Sequence, residues 1–199
     1  MVGIGTLVFA SMFQVFVCVF STEALNAPKR GSPEELKEAL NTTGKIWLDK
    51  RRTNKTSSNT CLYWQKKSFF GDVYEFTESY WDGSQPRQEH LNGTISSKPE
   101  SGEEGAALKV VGRSEEGTDL EYLLVHWERE AHCAIFYTQI KNPEGKRHSQ
   151  TCGIYYWDAN VEKQEFRQKC QQHFDTYCLP YGKDDQVLYN ASCQSLLGC

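Results

Sequence analysis

Glu78 is the acid in this chain whose position could do chemistry. In the segment 73–81 (VYEFTESYW), alternation puts Tyr74, Phe76, Glu78 and Tyr80 on one face of a strand. Glu78 is then the one acid on an aromatic face. An acid near a strand end that simply reaches solvent is the plainer reading. Cys170-Gln171-Gln172-His173 has metal-ligand spacing. No second such pair accompanies it, and a disulfide cysteine beside a surface histidine explains it as well. His126, His132 and the remaining acids follow no nucleophile–base pattern, and the chain has no nucleophile elbow or phosphate loop. These residues point to a protein that is not an enzyme, with no cofactor and no metal.

The other reactive side chains are cysteines. Of eight, Cys18 falls in an apolar run near the N-terminus. That run (LVFASMFQVFVCVF), ending at small residues near Thr22 and Ala24, reads as a signal peptide over residues 1–24 rather than a membrane anchor. A single domain is then expected over 25–199. Cys61, Cys133, Cys152, Cys170, Cys178, Cys193 and Cys199 remain, a density that means a disulfide framework in a secreted, extracellular protein, with one thiol left over. Sequons at Asn41, Asn54, Asn92 and Asn190 suit the same compartment and make these asparagines glycosylation candidates. Losing Glu23 with the signal peptide moves the net charge from −4 to −3. With no basic block, neither nucleic acid nor an anionic membrane is expected as a partner.

These residues need elements to hold them. Ser32-Pro33-Glu34-Glu35 is a helix start with a capping box, and Gly44 ends the short helix. Segments 45–50 (carrying Trp47), 60–70, 73–81, 87–96, 106–113, 120–129, 133–140 and 152–158 read as strands at hairpin spacing. Asn92-Gly93 is a tight-turn signal. About eight strands without crossover helices predict an all-β antiparallel meander that closes into a barrel, with a two-sheet sandwich as the alternative. The one long helix spans 160–178. Asn160 can cap it, and Phe166, Cys170, Phe174 and Cys178 form its buried stripe.

With these features the chain resembles the tick salivary lipocalins, the histamine-binding protein family. The resemblance covers nearly all of the mature chain. It rests on size, secretion, a short N-terminal helix, about eight strands, a C-terminal helix, and cysteines in SNTCLYW, AHCAIFY, RQKCQQHF and YNASCQ. It implies an eight-stranded antiparallel lipocalin-like barrel with a flanking C-terminal helix. It also implies bridges Cys61–Cys193, Cys133–Cys170 and Cys152–Cys178, leaving Cys199 free or paired between chains, so that the protein is otherwise a monomer.

Given those bridges to a helix outside the barrel, Cys133 and Cys152 face outward. The period-two rule then turns Ala134, Phe136, Thr138, Gly153, Tyr155 and Trp157 inward. An outward Cys61 likewise turns Leu62 and Trp64 inward. For 120–129 no cysteine sets the phase. Tyr122, Leu124 and His126 are taken as inward, and Leu123, Val125 and Trp127 are the alternative. The expected ligand-binding set is Trp47, Leu62, Trp64, Tyr74, Phe76, Glu78, Tyr122, Leu124, His126, Phe136, Tyr155 and Trp157.

Where the family's amine binders carry an Asp after the strand cysteine and a Glu before the Trp, this chain has Ala134 and Tyr155. A buried cation needs a paired charge, so the resemblance here implies a hydrophobic ligand first: an eicosanoid, fatty acid or sterol. His126 and Tyr155 would receive a carboxylate. A biogenic amine held by Glu78 is the alternative, and a surface that engages a host complement or immune-cell protein is a further one. In each case the expected role is to dampen host inflammation or immunity.

Overall fold

The computed structural model describes residues 30–54, 57–182 and 184–196. The expected signal peptide and Cys199 lie outside the described residues.

Eight strands form the body: β1 (Lys45–Thr53), β2 (Thr60–Phe70), β3 (Val73–Trp81), β4 (Pro86–Ser96), β5 (Ala107–Ser114), β6 (Gly117–Glu128), β7 (Cys133–Lys141) and β8 (Arg147–Trp157). Each pairs antiparallel with the next, and β1 pairs with both β8 and β2. That circuit closes the barrel and excludes the two-sheet sandwich. A short β9 (Asp185–Val187) adds to β1 from outside.

The ends of the barrel follow from its topology. Helix α1 (Pro33–Leu40) plugs one end, burying Leu36, Ala39 and Leu40. Its start is the expected capping box: the Glu35 amide donates to Ser32 Oγ at 3.2 Å, and the Ser32 amide to Glu35 Oε2 at 2.8 Å. Trp127 and Trp157 tie the plug down, their indoles donating to Glu38 and to the Ala39 carbonyl. The opposite end, the mouth, carries the β1–β2, β3–β4, β5–β6 and β7–β8 connections.

Two apolar layers share the sheet. The inner layer is aromatic and fills the barrel. The outer layer lies beneath α2 (Gln164–Cys178), where Cys170, Phe174 and Cys178 meet Ile135, Tyr137, Ile154 and Tyr156. Strand β7 is therefore buried on both faces from Cys133 to Gln139, which is why its sequence is apolar without alternation. All three expected bridges are present: Cys61–Cys193, Cys133–Cys170 and Cys152–Cys178.

Two local expectations are corrected. Helix α2 starts at Gln164, not near Asn160. Asn160 is spent elsewhere, its amide donating to the Ala131 carbonyl at 3.1 Å and meeting His132 Nδ1. Asn92-Gly93 is no turn but the middle of β4. Glycine is needed there because a Cβ would lie 2.5 Å from the Leu108 side chain. Beyond β9 the chain forms the short helix α3 (Cys193–Leu196), anchored by Cys193.

Candidate ligand-binding site

Trp64 sits at the centre of the barrel. Its ring lies 4.8 Å from those of Tyr122 and Tyr155, 5.3 Å from Phe76 and 6.0 Å from Phe136. All five are buried, so the ring contacts are both core and lining. Leu62, Leu124 and Tyr74 belong to the same inner layer, with Trp157 packed on it at the α1 end. Burial raises the Tyr74 phenol above its usual range, and the hydroxyl has no hydrogen-bond partner among the described residues. Such a group costs about 1–3 kcal/mol until something bonds to it.

Glu78 is also inward and only 1 % exposed. Its carboxylate accepts from the Trp64 indole at 3.0 Å, from Ser114 Oγ at 3.0 Å and from the Glu115 amide at 2.6 Å. The Ser114 hydroxyl also lies 3.3 Å from the Tyr122 hydroxyl. Burial pushes the Glu78 carboxyl up to about 7, with the three donors working against the rise. The solvent-reaching alternative is thus excluded for this acid.

Above Glu78 the β5–β6 turn folds into the mouth. Arg51 donates to Glu115 at 2.6 and 3.0 Å, to Glu116 at 2.9 Å and to Gln186 at 2.9 Å. Ser57 and Asn59 donate to Glu115, and Thr151 to Glu116. Burial works against both charges in the Arg51–Glu115 pair. Their bonds outweigh it, keeping the guanidinium protonated and holding the Glu115 carboxyl below its usual value. Glu116 Oε2 is buried without a hydrogen-bond partner among the described residues. A cavity of about 270 Å³ opens here, lined by Arg51, Thr53, Ser57, Asn59, Glu115, Glu116, Gln150 and Thr151. With Glu78 beneath it, this region sets three carboxylates against one guanidinium.

Arg51, Ser114, Glu115 and Glu116 were not foreseen from sequence. Arg51 faces inward because β1 bulges between Leu48 and Lys50. Leu48 and Arg51 then share the inner face, while Lys50 and Arg52 turn out over the Phe174 ring. An Arg-Arg pair closing a strand and a Glu-Glu pair in the facing turn were the available signals.

Two expected lining residues lie outside. Trp47 belongs to the outer layer, packed against Tyr63 and Tyr189 with its indole donating to Asp158. It is flanked by the inward Ile46 and Leu48, so plain alternation turns it out. His126 would face inward if the phase of Tyr122 and Leu124 continued. A bulge between Leu124 and His126 reverses that phase, so Trp127 joins the inner layer and His126 stacks outside on His173 and Tyr177. Burial, and next the charge of His173, hold its imidazole below the usual value. The expected His126–Tyr155 partnership for a fatty-acid carboxylate therefore has no geometric basis.

No protein-family model and no curated protein sequence matches the chain. Solved structures do resemble it in fold. A protein named AM182, in complex with serotonin, superimposes with a TM-score of 0.57 at 14 % identity, covering 84 % of this chain and 97 % of that one. Japanin from Rhipicephalus appendiculatus, bound to cholesterol, gives 0.52 at 12 % identity over 78 % and 98 %. Insecticyanin from the tobacco hornworm Manduca sexta gives 0.54 at 13 % identity over 83 % and 86 %. The fold is that of the lipocalins.

Proposed function

We propose that this is a secreted lipocalin-type carrier, not an enzyme, that withdraws a small cationic mediator of the biogenic-amine class from host tissue. The observation that carries the reading is Glu78, a carboxylate buried at the mouth end of an aromatic barrel with no cation among its hydrogen-bond partners in the described residues. A protonated amine would supply that cation, and aromatic faces would receive both its ring and its charge. The mouth favours the same ligand, since Glu115 and Glu116 outnumber Arg51. The mouth cavity of about 270 Å³ is lined by polar side chains, Arg51, Glu115 and Glu116 among them, and Glu78 with the aromatic layer lies beneath it, so a small guest meets the mouth first. Entry would require the turn carrying Ser114 to Glu116 to swing off the mouth. The serotonin complex of AM182 is in keeping with this reading, as are the three disulfides and the exposed positions of Asn41, Asn54, Asn92 and Asn190.

The hydrophobic-ligand reading keeps one specific support. The unpartnered Tyr74 hydroxyl, set in an aromatic layer, is suited to the hydroxyl of a sterol or the head of a fatty acid. Such a guest would have to displace Trp64 and its neighbours from the barrel centre.

Calorimetric titration with histamine, serotonin, a fatty acid and cholesterol separates the two. Under the amine reading, histamine or serotonin binds one to one, and Glu78→Gln weakens binding by roughly 10- to 100-fold, the worth of a bond to a charged group. Binding of the fatty acid or sterol alone, unchanged by Glu78→Gln, would overturn it.

A further inference from the structure

The side of β6 facing away from the barrel carries a second constellation. His126 and Glu128 project outward from this strand, and His173 comes down on them from α2. Their potential ligand atoms all lie within 4.8 Å of one another. His173 Nε2 is 3.8 Å from Glu128 Oε2, and the two imidazole rings are stacked at 3.9 Å. His126 Nε2 is buried and has no hydrogen-bond partner among the described residues. All three side chains are half-buried, which leaves room for a water as a fourth ligand.

We propose that His126, Glu128 and His173 form a binding site for a divalent transition-metal ion of the zinc class, which clamps helix α2 to the barrel. Two imidazoles and a carboxylate form a donor set that suits tetrahedral Zn²⁺ with one open position. Around such an ion, ligand atoms about 2.0–2.2 Å from the metal sit roughly 3.3 Å from each other, so modest side-chain rotations bring this trio into place.

The backbone prepares the site in two ways. His126 and Glu128, two residues apart on β6, share a face, and the bulge after Leu124 turns that face outward beneath α2. Cys133, paired with Glu128 in the sheet, is bonded to Cys170, one helical turn before His173. The disulfide therefore holds His173 over β6 whether or not metal is bound. Cys170, the residue whose spacing to His173 suggested a ligand pair, is consumed in that bridge, and the partners of His173 come from a strand more than forty residues away. Lys169 competes for the carboxylate, 3.2 Å from Glu128, but it also reaches Glu130 at 2.8 Å and can be released there.

The test is titration of the metal-free, disulfide-intact protein with Zn²⁺ alone, by calorimetry and by thermal unfolding, with Co²⁺ as a spectroscopic reporter. The expected result is one ion per chain, a rise in melting temperature with added Zn²⁺, and Co²⁺ bands of a four-coordinate nitrogen–oxygen site without thiolate absorption. Outer partners of metal ligands are typically worth 10- to 100-fold, so His126→Gln, His173→Gln and Glu128→Gln should each weaken Zn²⁺ by more than about tenfold. Lys169→Ala frees Glu128 from a surface ion pair and should tighten Zn²⁺ by up to about fivefold. His148→Gln, on a distant strand, should change nothing. Circular dichroism establishes that each variant is folded. A wild-type protein that binds no Zn²⁺, or folded variants that bind it as tightly as wild type, would overturn the proposal.

Discussion

Glu78 sits among Trp64, Ser114 and the Glu115 amide, where ionisation is opposed by burial and helped by three donors. Burial dominates, and the carboxyl is pushed from 4.5 up to about 7. The folded chain therefore keeps this proton through a pH range in which the unfolded chain has released it. The stability owed to this group falls as pH rises from about 4.5 to about 7 and is constant above that. Across that range each pH step of one is worth about 1.4 kcal/mol. Glu78→Gln, which cannot ionise, should gain on wild type by a few kcal/mol between pH 5 and pH 8 in urea unfolding. A difference that does not vary with pH would show that Glu78 is already ionised in the fold. The ligand follows the opposite slope: a protonated amine needs the carboxylate, so its affinity should rise from pH 6 to pH 8, whereas a sterol, which carries no charge, should bind equally at both. Trp64→Phe keeps a ring in the barrel centre but removes one donor to Glu78, and should move the midpoint of the amine pH profile upward.

At the scale of elements, two of the sheet's register shifts, in β1 and in β6, decide which of these side chains meet. Alternation was legible where no shift fell between the residue that set the phase and the residues read from it: Tyr74, Phe76 and Glu78 in β3, Phe136 in β7, and Tyr155 in β8 all lie inside. A bulge adds a residue without leaving a mark in the hydrophobic period, because Leu-Val-His-Trp offers apolar residues in either phase. Plain alternation therefore misplaces His126, and Arg51 falls just past the strand expected over 45–50. Turn chemistry misled once more at Asn92-Gly93, where the glycine serves a close approach rather than a hairpin. Gly93→Ala would push a Cβ to 2.5 Å from Leu108 Cδ1, an overpacking that typically costs about 1–3 kcal/mol. In chemical unfolding, Leu108→Ala combined with Gly93→Ala should cost less than the sum of the single changes, because the clash disappears with the leucine. Additive costs would mean that the strand, not the contact, objects to the side chain.

For the molecule as a whole, the disulfides turn a barrel, a helix and a tail into one unit. Their pairing entered through a likeness to other proteins, because cysteine spacing alone leaves many connectivities open. The fold then placed each pair within reach. Their expected contributions differ, since a bridge acts mainly by restricting the unfolded chain and does so more for a longer loop. Cys61 and Cys193 are 132 residues apart, joining β2 to α3, whereas Cys152 and Cys178 are 26 apart. The chain-entropy relation assigns about 5 kcal/mol to the first loop and about 3.5 kcal/mol to the second. Replacing Cys61 and Cys193 together by alanine should lower the free energy of unfolding by more than the Cys152/Cys178 pair does, by on the order of 1.4 kcal/mol. Native contacts run the other way: α2 covers a continuous apolar layer with Phe174 at its centre, while α3 buries little beyond Cys193. Urea unfolding of the two double variants decides between these causes. A larger loss for Cys61/Cys193 shows that the bridges stabilise by constraining the unfolded chain. A larger loss for Cys152/Cys178 shows that they act by holding α2 against the barrel, and in that case a metal ion bound by His126, Glu128 and His173 would restore part of the loss.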